Sequence, residues 1–160
     1  MAIREIVKKG DSVLNKVCRP VEKFDSKLHK LLDDMAETMH EANGAGLAAP
    51  QVAILRRICI VDIGDEDGVI ELINPKIIAK SGMQRTEEGC LSCPGIWGYT
   101  ERPMYVTVRA FDRFGNQFEK SAEGLKAKAF CHEIDHLDGV LYIDHNATKE
   151  EIEQYAEKED

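Results

Sequence analysis

The chain has 160 residues, 43% of them hydrophobic and 31% charged, which suits one ordinary core without disulfide help and argues against two domains. Its 29 acidic and 21 basic residues leave a formal net charge of -8, excluding the broad positive surface of a DNA-binding protein and confining any RNA contact to a local patch. No stretch approaches the roughly 18 uninterrupted apolar residues of a membrane span, and the start, Met1-Ala2-Ile3-Arg4-Glu5, lacks the apolar run of a secretory signal, so the expected location is the cytoplasm.

Over residues 25–43, Leu28, Leu31, Leu32, Met35, Ala36 and Met39 recur at helical spacing, with Asp25 or Ser26 as cap and Asn43-Gly44 as stop. The expected product is an amphipathic helix with its methionines in the core. Gly44-Ala45-Gly46-Leu47-Ala48-Ala49-Pro50-Gln51 follows, small-residue backbone that admits a ligand or, more plainly, a helix cap and loop. Strands are expected over 58–63, 69–73 and 76–80, with a turn at Asp65-Glu66-Asp67-Gly68 and a break at Asn74-Pro75. Such short connections favour an antiparallel meander.

Residues 82–103 are punctuated by Gly and Pro and read as irregular or short-stranded; they hold Cys90, Cys93 and the sole tryptophan, Trp97. Alternation over 104–111, a turn at 112–116 and a partner over 117–120 predict a hairpin. A second helix is expected over 122–137, with Leu125, Ala129, Phe130, Ile134 and Leu137 as its apolar stripe and Asp138-Gly139 ending it. A short strand at 140–143 and a short acidic helix from about 148, opened by the capping box Thr148-Lys149-Glu150-Glu151, complete the chain. These elements predict an α+β class, antiparallel sheets around a central metal-binding helix, in a single catalytic domain spanning 1–160.

The second helix carries His132-Glu133-Ile134-Asp135-His136. Positions i and i+4 share one helix face, so both imidazoles reach one ion while Glu133 lies beside it. A catalytic zinc-type site has three protein ligands and an open corner, whereas a structural site has four. Cys90 and Cys93 form Cys-x-x-Cys, so a closed Cys2His2 binding module competes with an open hydrolytic site. Thirty-eight residues separate Cys93 from His132, far beyond zinc-finger spacing, and an acid between the histidines adds nothing to a closed site. The open site is therefore preferred, with Cys93 as a packing residue. A zincin-type endopeptidase is the other alternative, requiring a downstream ligand such as His145, Glu150 or Glu151. Five cysteines without a regular framework suggest free thiols; Cys59 reads as core and Cys18 carries no signal. His29, His40 and His145 read as solvated or cap-region residues.

Three stretches together, Gly44 to Gln51, Glu88-Gly89-Cys90-Leu91-Ser92, and His132 to His136, resemble the peptide deformylases in order and spacing. The resemblance implies an α+β metallohydrolase that removes the formyl group from N-formylmethionyl nascent peptides. It implies Cys90, His132 and His136 as ligands of one divalent ion, ferrous iron by family habit, although zinc, nickel and cobalt suit the same donors. It assigns Glu133 as acid and base, and Gln51 with the Leu91 amide as oxyanion donors. Gly46 would shape the floor of the site, Ala45 and Gly89 would meet the substrate, and Glu88 with Arg102 would form a supporting ion pair. Leu125 and Ala129, two turns and one turn before His132, are plausible walls of a methionine pocket. Ala45 stands where the family usually has a bulkier aliphatic residue, which bears on substrate preference. Contact with the ribosome follows from action on nascent chains, yet residues 149–160 hold six acids against Lys149 and Lys158, a poor tail for that purpose.

Overall fold

Asp25 opens the first helix: its carboxylate accepts a hydrogen bond from the Leu28 amide at 3.1 Å, satisfying one of the free donors at the start of α1, Ser26–Glu41. Leu28, Leu31, Leu32, Met35 and Met39 line one face of α1 and are buried, each contributing roughly 1.5–3 kcal/mol of transfer free energy. Truncating the fully buried Leu32 to alanine would cost about 2–5 kcal/mol. The computed structural model describes residues 2–142.

The expected loop after α1 instead contains a short strand, β1 (Gly46–Ala48), followed by a single tight turn of helix, Ala49–Val52. Next come β2 (Ile58–Val61) and β3 (Ile70–Ser81). The two strands expected on either side of Asn74-Pro75 are thus one. The chain passes the proline through a register shift between Ile73 and Lys76, and Asn74 takes φ +52° there, a left-handed conformation that Asn tolerates. Its side chain is fixed by both backbone groups of Val21, at 2.8 and 3.0 Å.

Residues 82–103 are also more regular than expected. They form a hairpin of β4 (Gln84–Cys90) and β5 (Cys93–Arg102), because Gly89, Gly95 and Gly98 lie within a two-stranded ribbon whose pairing runs from Gln84 opposite Arg102 to Cys90 opposite Cys93. β6 (Tyr105–Phe111) and β7 (Gln117–Glu123) pair as expected. The main sheet has the order β1-β2-β3-β6-β7, antiparallel throughout, with the β4–β5 hairpin inserted between β3 and β6.

The fully buried run Ile58-Cys59-Ile60-Val61 in β2 shows how the layers form. Ile58 and Ile60 join the α1 side of the core, while Cys59 and Val61 join the other side with Phe130, Ile134 and Leu137 of α2, Gly124–Leu137. Alternate side chains point to opposite faces, so a strand covered by helices on both sides is apolar at every position. Leu125 departs from the expected stripe: it is 54% exposed. No strand forms at residues 140–142; Leu141 and Tyr142 are buried in a small cluster with Leu14 and Cys93, and the Tyr142 hydroxyl donates to Ile96 O. The acidic helix expected from about 148 lies outside the described residues. No helix among the described residues is long and apolar enough to cross a membrane.

Candidate metal centre and its cavity

Cys90 at the end of β4 meets the inner face of α2, where His132 and His136 stand one helical turn apart. The Cys90 Sγ lies 3.3 Å from His136 Nε2, which lies 3.2 Å from His132 Nε2. All three donor atoms fall within 4.8 Å of one another. Ordinary bond lengths to a tetrahedral ion imply nitrogen–nitrogen and nitrogen–sulfur separations of about 3.3–3.6 Å, so this donor set fits a divalent ion of the zinc or ferrous class. Cys93 is outside the group. It packs in the cluster with Leu14, Leu141 and Tyr142, and its thiol is hydrogen-bonded to that of Cys90.

Electrostatics separate the two imidazoles. Burial pushes His136 well below its usual pKa, with His132 adding to the effect, so its ring is held neutral as a ligand nitrogen must be. Burial opposes charge on His132 too, but Glu133 and Glu88 outweigh it and shift that group upward. The His132 Nδ1 donates to Glu88 Oε1 at 2.5 Å, which leaves Nε2 as the nitrogen available to a metal ion. Glu88 also accepts from Thr100 Oγ1 at 2.5 Å and from the Arg102 guanidinium at 2.7 and 3.2 Å. Burial would raise its carboxyl, yet His132 and Arg102 hold it well below the usual carboxylate range. Arg102 reaches on to Asp135 at 2.6 Å, tying the hairpin to α2.

Glu133 is different: buried, with Oε1 lacking a hydrogen-bond partner among the described residues. Burial pushes its carboxyl up to about 7, against the opposing pull of His132. It faces a cavity of about 540 Å³ lined by Ala45, Gly46, Gln51, Gly89, Leu91, Leu125, Ala129 and His132, among others. Every residue the sequence nominates as catalytic or substrate-binding lines this one space. A Cβ at Gly46 would lie 2.9 Å from the Glu133 Cδ, so a larger residue there would displace the carboxyl. A buried, polarised carboxyl beside a three-donor cluster, in an open cavity, can exchange a proton with a bound reactant.

Gln51 is held at both ends of its amide. Its Oε1 accepts from Ala48 N at 3.0 Å, and its Nε2 donates to Ser92 Oγ at 3.1 Å and lies 3.6 Å from Cys90 Sγ. Sequence reasoning missed Ser92, Thr100 and Asp135 as supports of the site. Ser92 and Asp135 carried a signal only as members of the Cys90 and His132 motifs; Thr100 carried none. His29 and His40 stand away from the centre, on Arg113 O and Asp62 respectively, each at 2.8 Å; His145 lies outside the described residues.

The family model described as "Polypeptide deformylase" matches residues 3–151. The chain is 55% identical over 157 residues to a peptide deformylase of Caldicellulosiruptor bescii, covering 96% of this chain and 93% of that one. Among solved structures, a peptide deformylase from Legionella pneumophila superposes with a TM-score of 0.92 at 43% identity, covering 99% of this chain and 94% of that one. One from Thermotoga maritima gives 0.89 at 41% identity, covering 92% and 100%.

Proposed function

This chain belongs to the polypeptide deformylase family, metal-dependent hydrolases that remove the N-formyl group from nascent polypeptides, and we propose that Cys90, His132 and His136 hold its metal while Glu133 moves the proton. The observation that carries this assignment is the convergence of one sulfur and two imidazole nitrogens within 4.8 Å, beside the unpartnered Glu133 Oε1.

A divalent ion in that cluster supplies the Lewis acidity that makes water a competent nucleophile near neutral pH. Glu133 takes the proton from the attacking water and returns it to the departing amine, giving formate and a free N-terminus. Gln51 Nε2 and the Leu91 amide are the donors for the oxyanion that develops on the formyl oxygen as its carbon is attacked; one such donor is worth about 3–4 kcal/mol. The Gln51 carboxamide is oriented before substrate arrives, because Ala48 N and Ser92 Oγ fix its two ends.

Substrate backbone lies between two strand edges. Among the described residues β1 is the outermost strand of its sheet and β4 pairs only with β5, and Ala45, Gly46 and Gly89 border the cavity. Pairing with these edges tolerates any sequence beyond the first side chain. Leu125 and Ala129 wall the methionine pocket, which Ala45 leaves wider than a larger aliphatic residue would. A small formyl group fits beside Gly46, and bulkier acyl groups do not.

The mixed sulfur and imidazole donors suit iron, zinc, nickel or cobalt; we assign ferrous iron on family grounds, with a cytoplasmic location and residues 1–160 as one catalytic domain. Transient ribosome contact belongs to the same reading, through a surface other than the acidic tail. The endopeptidase alternative takes a third ligand downstream, whereas Cys90 already stands beside the histidines. A closed Cys2His2 site needs Cys93, which lies outside the donor group. Anaerobic purification with metal analysis and a formate-release assay on formyl-Met-Ala-Ser tests the reaction and the metal together. Retention of metal and activity by Cys90→Ser would overturn the ligand assignment.

A further inference from the structure

Tyr142 has no part in the chemistry above, yet it is among the largest fully buried side chains of the molecule and it touches the donor cluster. Its ring lies against His132, with centroids 5.9 Å apart and planes at 33°, inside the range of about 4.5–7 Å over which rings pack. The His132 imidazole is thereby confined in three ways. Glu88 holds its Nδ1, the His136 ring meets it edge-on at 4.9 Å and 70°, and the Tyr142 ring limits its tilt. The far end of the phenol is fixed as well. Its hydroxyl donates to Ile96 O, within β5 and three residues beyond Cys93, and the ring shares a cluster with Cys93, the cross-strand partner of Cys90. A buried hydroxyl costs desolvation that only a well-placed acceptor offsets.

One side chain therefore reaches from the helix that carries both imidazoles to the hairpin that carries the sulfur. Among the described residues β4 and β5 pair only with each other, so sheet hydrogen bonds do not set the distance between Cys90 and α2. Side chains do. Glu88 and Arg102 with Asp135 form a polar brace across that gap. We propose that Tyr142 is a positioning residue for the metal centre, its ring fixing the His132 imidazole against Glu88 and its hydroxyl holding β5, so that sulfur and nitrogens keep the separation one ion requires. The inference rests on the reading of Cys90, His132 and His136 as ligands. Ring and hydroxyl act on different donors: loss of the ring frees His132, and loss of the hydroxyl alone loosens the hairpin and with it Cys90. Supports around a metal site are typically worth about 10- to 100-fold in metal affinity.

The test loads wild type, Tyr142→Phe and Tyr142→Leu with cobalt(II), whose visible absorption reports ligand type and geometry, and measures cobalt affinity by competition with a chelator. Tyr142→Leu is expected to bind cobalt about 10- to 100-fold more weakly, with its ligand-field bands displaced from those of the wild type. Tyr142→Phe keeps the ring and should restore the bands, with a residual loss of roughly 2- to 10-fold from the missing hydrogen bond. Urea unfolding of the metal-free proteins separates these effects from a general loss of packing. Wild-type affinity and bands in Tyr142→Leu, with only a lower urea midpoint, would make Tyr142 a plain core residue and overturn the proposal. Equal displacement of the bands by Phe and Leu would also overturn it, since the ring would then have no role of its own. If Tyr142→Leu does not fold, Tyr142→Met, whose flexible side chain adapts to the space, carries the same prediction. A wild type that binds no cobalt, or binds it without thiolate charge-transfer absorption, would instead overturn the ligand reading.

Discussion

The Glu88 carboxylate lies 2.5 Å from His132 Nδ1 and 2.7 Å from the Arg102 guanidinium, so one buried anion both orients an imidazole of the proposed metal site and neutralises a buried cation. Loss of such a support typically costs 10- to 100-fold in metal affinity, roughly. Breaking a buried ion pair from one side costs about 3–5 kcal/mol, tempered here by the second Arg102 partner, Asp135. Glu88→Ala should therefore show both effects: weaker metal in a competitive chelator titration, and a lower urea midpoint in metal-free protein. Unaltered metal affinity would refute the orienting role.

Glu133 presents the opposite case, a carboxyl raised by burial to about 7. In the metal-free protein, between the ordinary carboxyl range and that value, the folded state holds a proton that the unfolded chain has lost, so stability falls as pH rises through this window. Replacement by glutamine removes the charge. Metal-free Glu133→Gln should be more stable than wild type at pH 7.5 and above by a few kcal/mol, roughly, and equal to it near pH 4. Its activity, with metal bound, should fall by about 100- to 10,000-fold. Denaturation curves at the two pH values together with a formate assay check this; near-normal turnover would remove Glu133 from the mechanism.

Ser92 is fully buried, and its hydroxyl accepts from Gln51 Nε2 at 3.1 Å. Without it the carboxamide keeps its bond to Ala48 N and, at its amino end, the longer contact with Cys90 Sγ at 3.6 Å, so that end is held less firmly. Gln51→Ala should lower kcat by about 100- to 1000-fold, as loss of an oxyanion donor does. Ser92→Ala should cost roughly tenfold, a fraction of that, in kcat with KM little changed, and Ser92→Thr should restore part of it. A change confined to KM would place Ser92 in substrate binding instead.

The site was legible because its chemistry is local: His132 and His136 are brought together by helical spacing alone, and Glu133 comes with them. Cys90 needed the resemblance of its motif, since its approach to the helix depends on a hairpin that glycine and proline disguised as irregular chain. The same masking hid the continuity of β3, where a left-handed Asn74 lets a strand run through Pro75. Thr100 and Asp135 were illegible for another reason. Their partners are 12 and 33 residues distant in sequence, and no periodicity reports a contact made by tertiary packing. Leu125 shows the limit of periodicity from the other side: at the right spacing for the core stripe, it is 54% exposed and borders the cavity.

Asp34 connects the start of the chain to α1 and sets the acid limit of the fold. Its side chain is 1% exposed and accepts from Lys30 Nζ at 3.0 Å, Ala2 N at 2.8 Å and Arg4 Nε at 3.1 Å. The Lys30 hydrogen bond, joined by those from Ala2 and Arg4 and opposed by burial, lowers its carboxyl to about 2. A carboxyl depressed in the folded state stabilises fully above its ordinary pKa, and that contribution is lost as pH falls through the folded value. Lys30 and Arg4 are partly exposed, so solvent screening reduces the pH-dependent part to about 1–2 kcal/mol. Asp34→Asn should thus lose that amount relative to wild type at pH 6, and the difference should close between about pH 4 and pH 2 as the wild-type carboxyl protonates. Urea unfolding across that range measures it. A gap that stays constant down to pH 2 would mean that the ionised carboxylate contributes nothing and that Asp34 acts only through its shape.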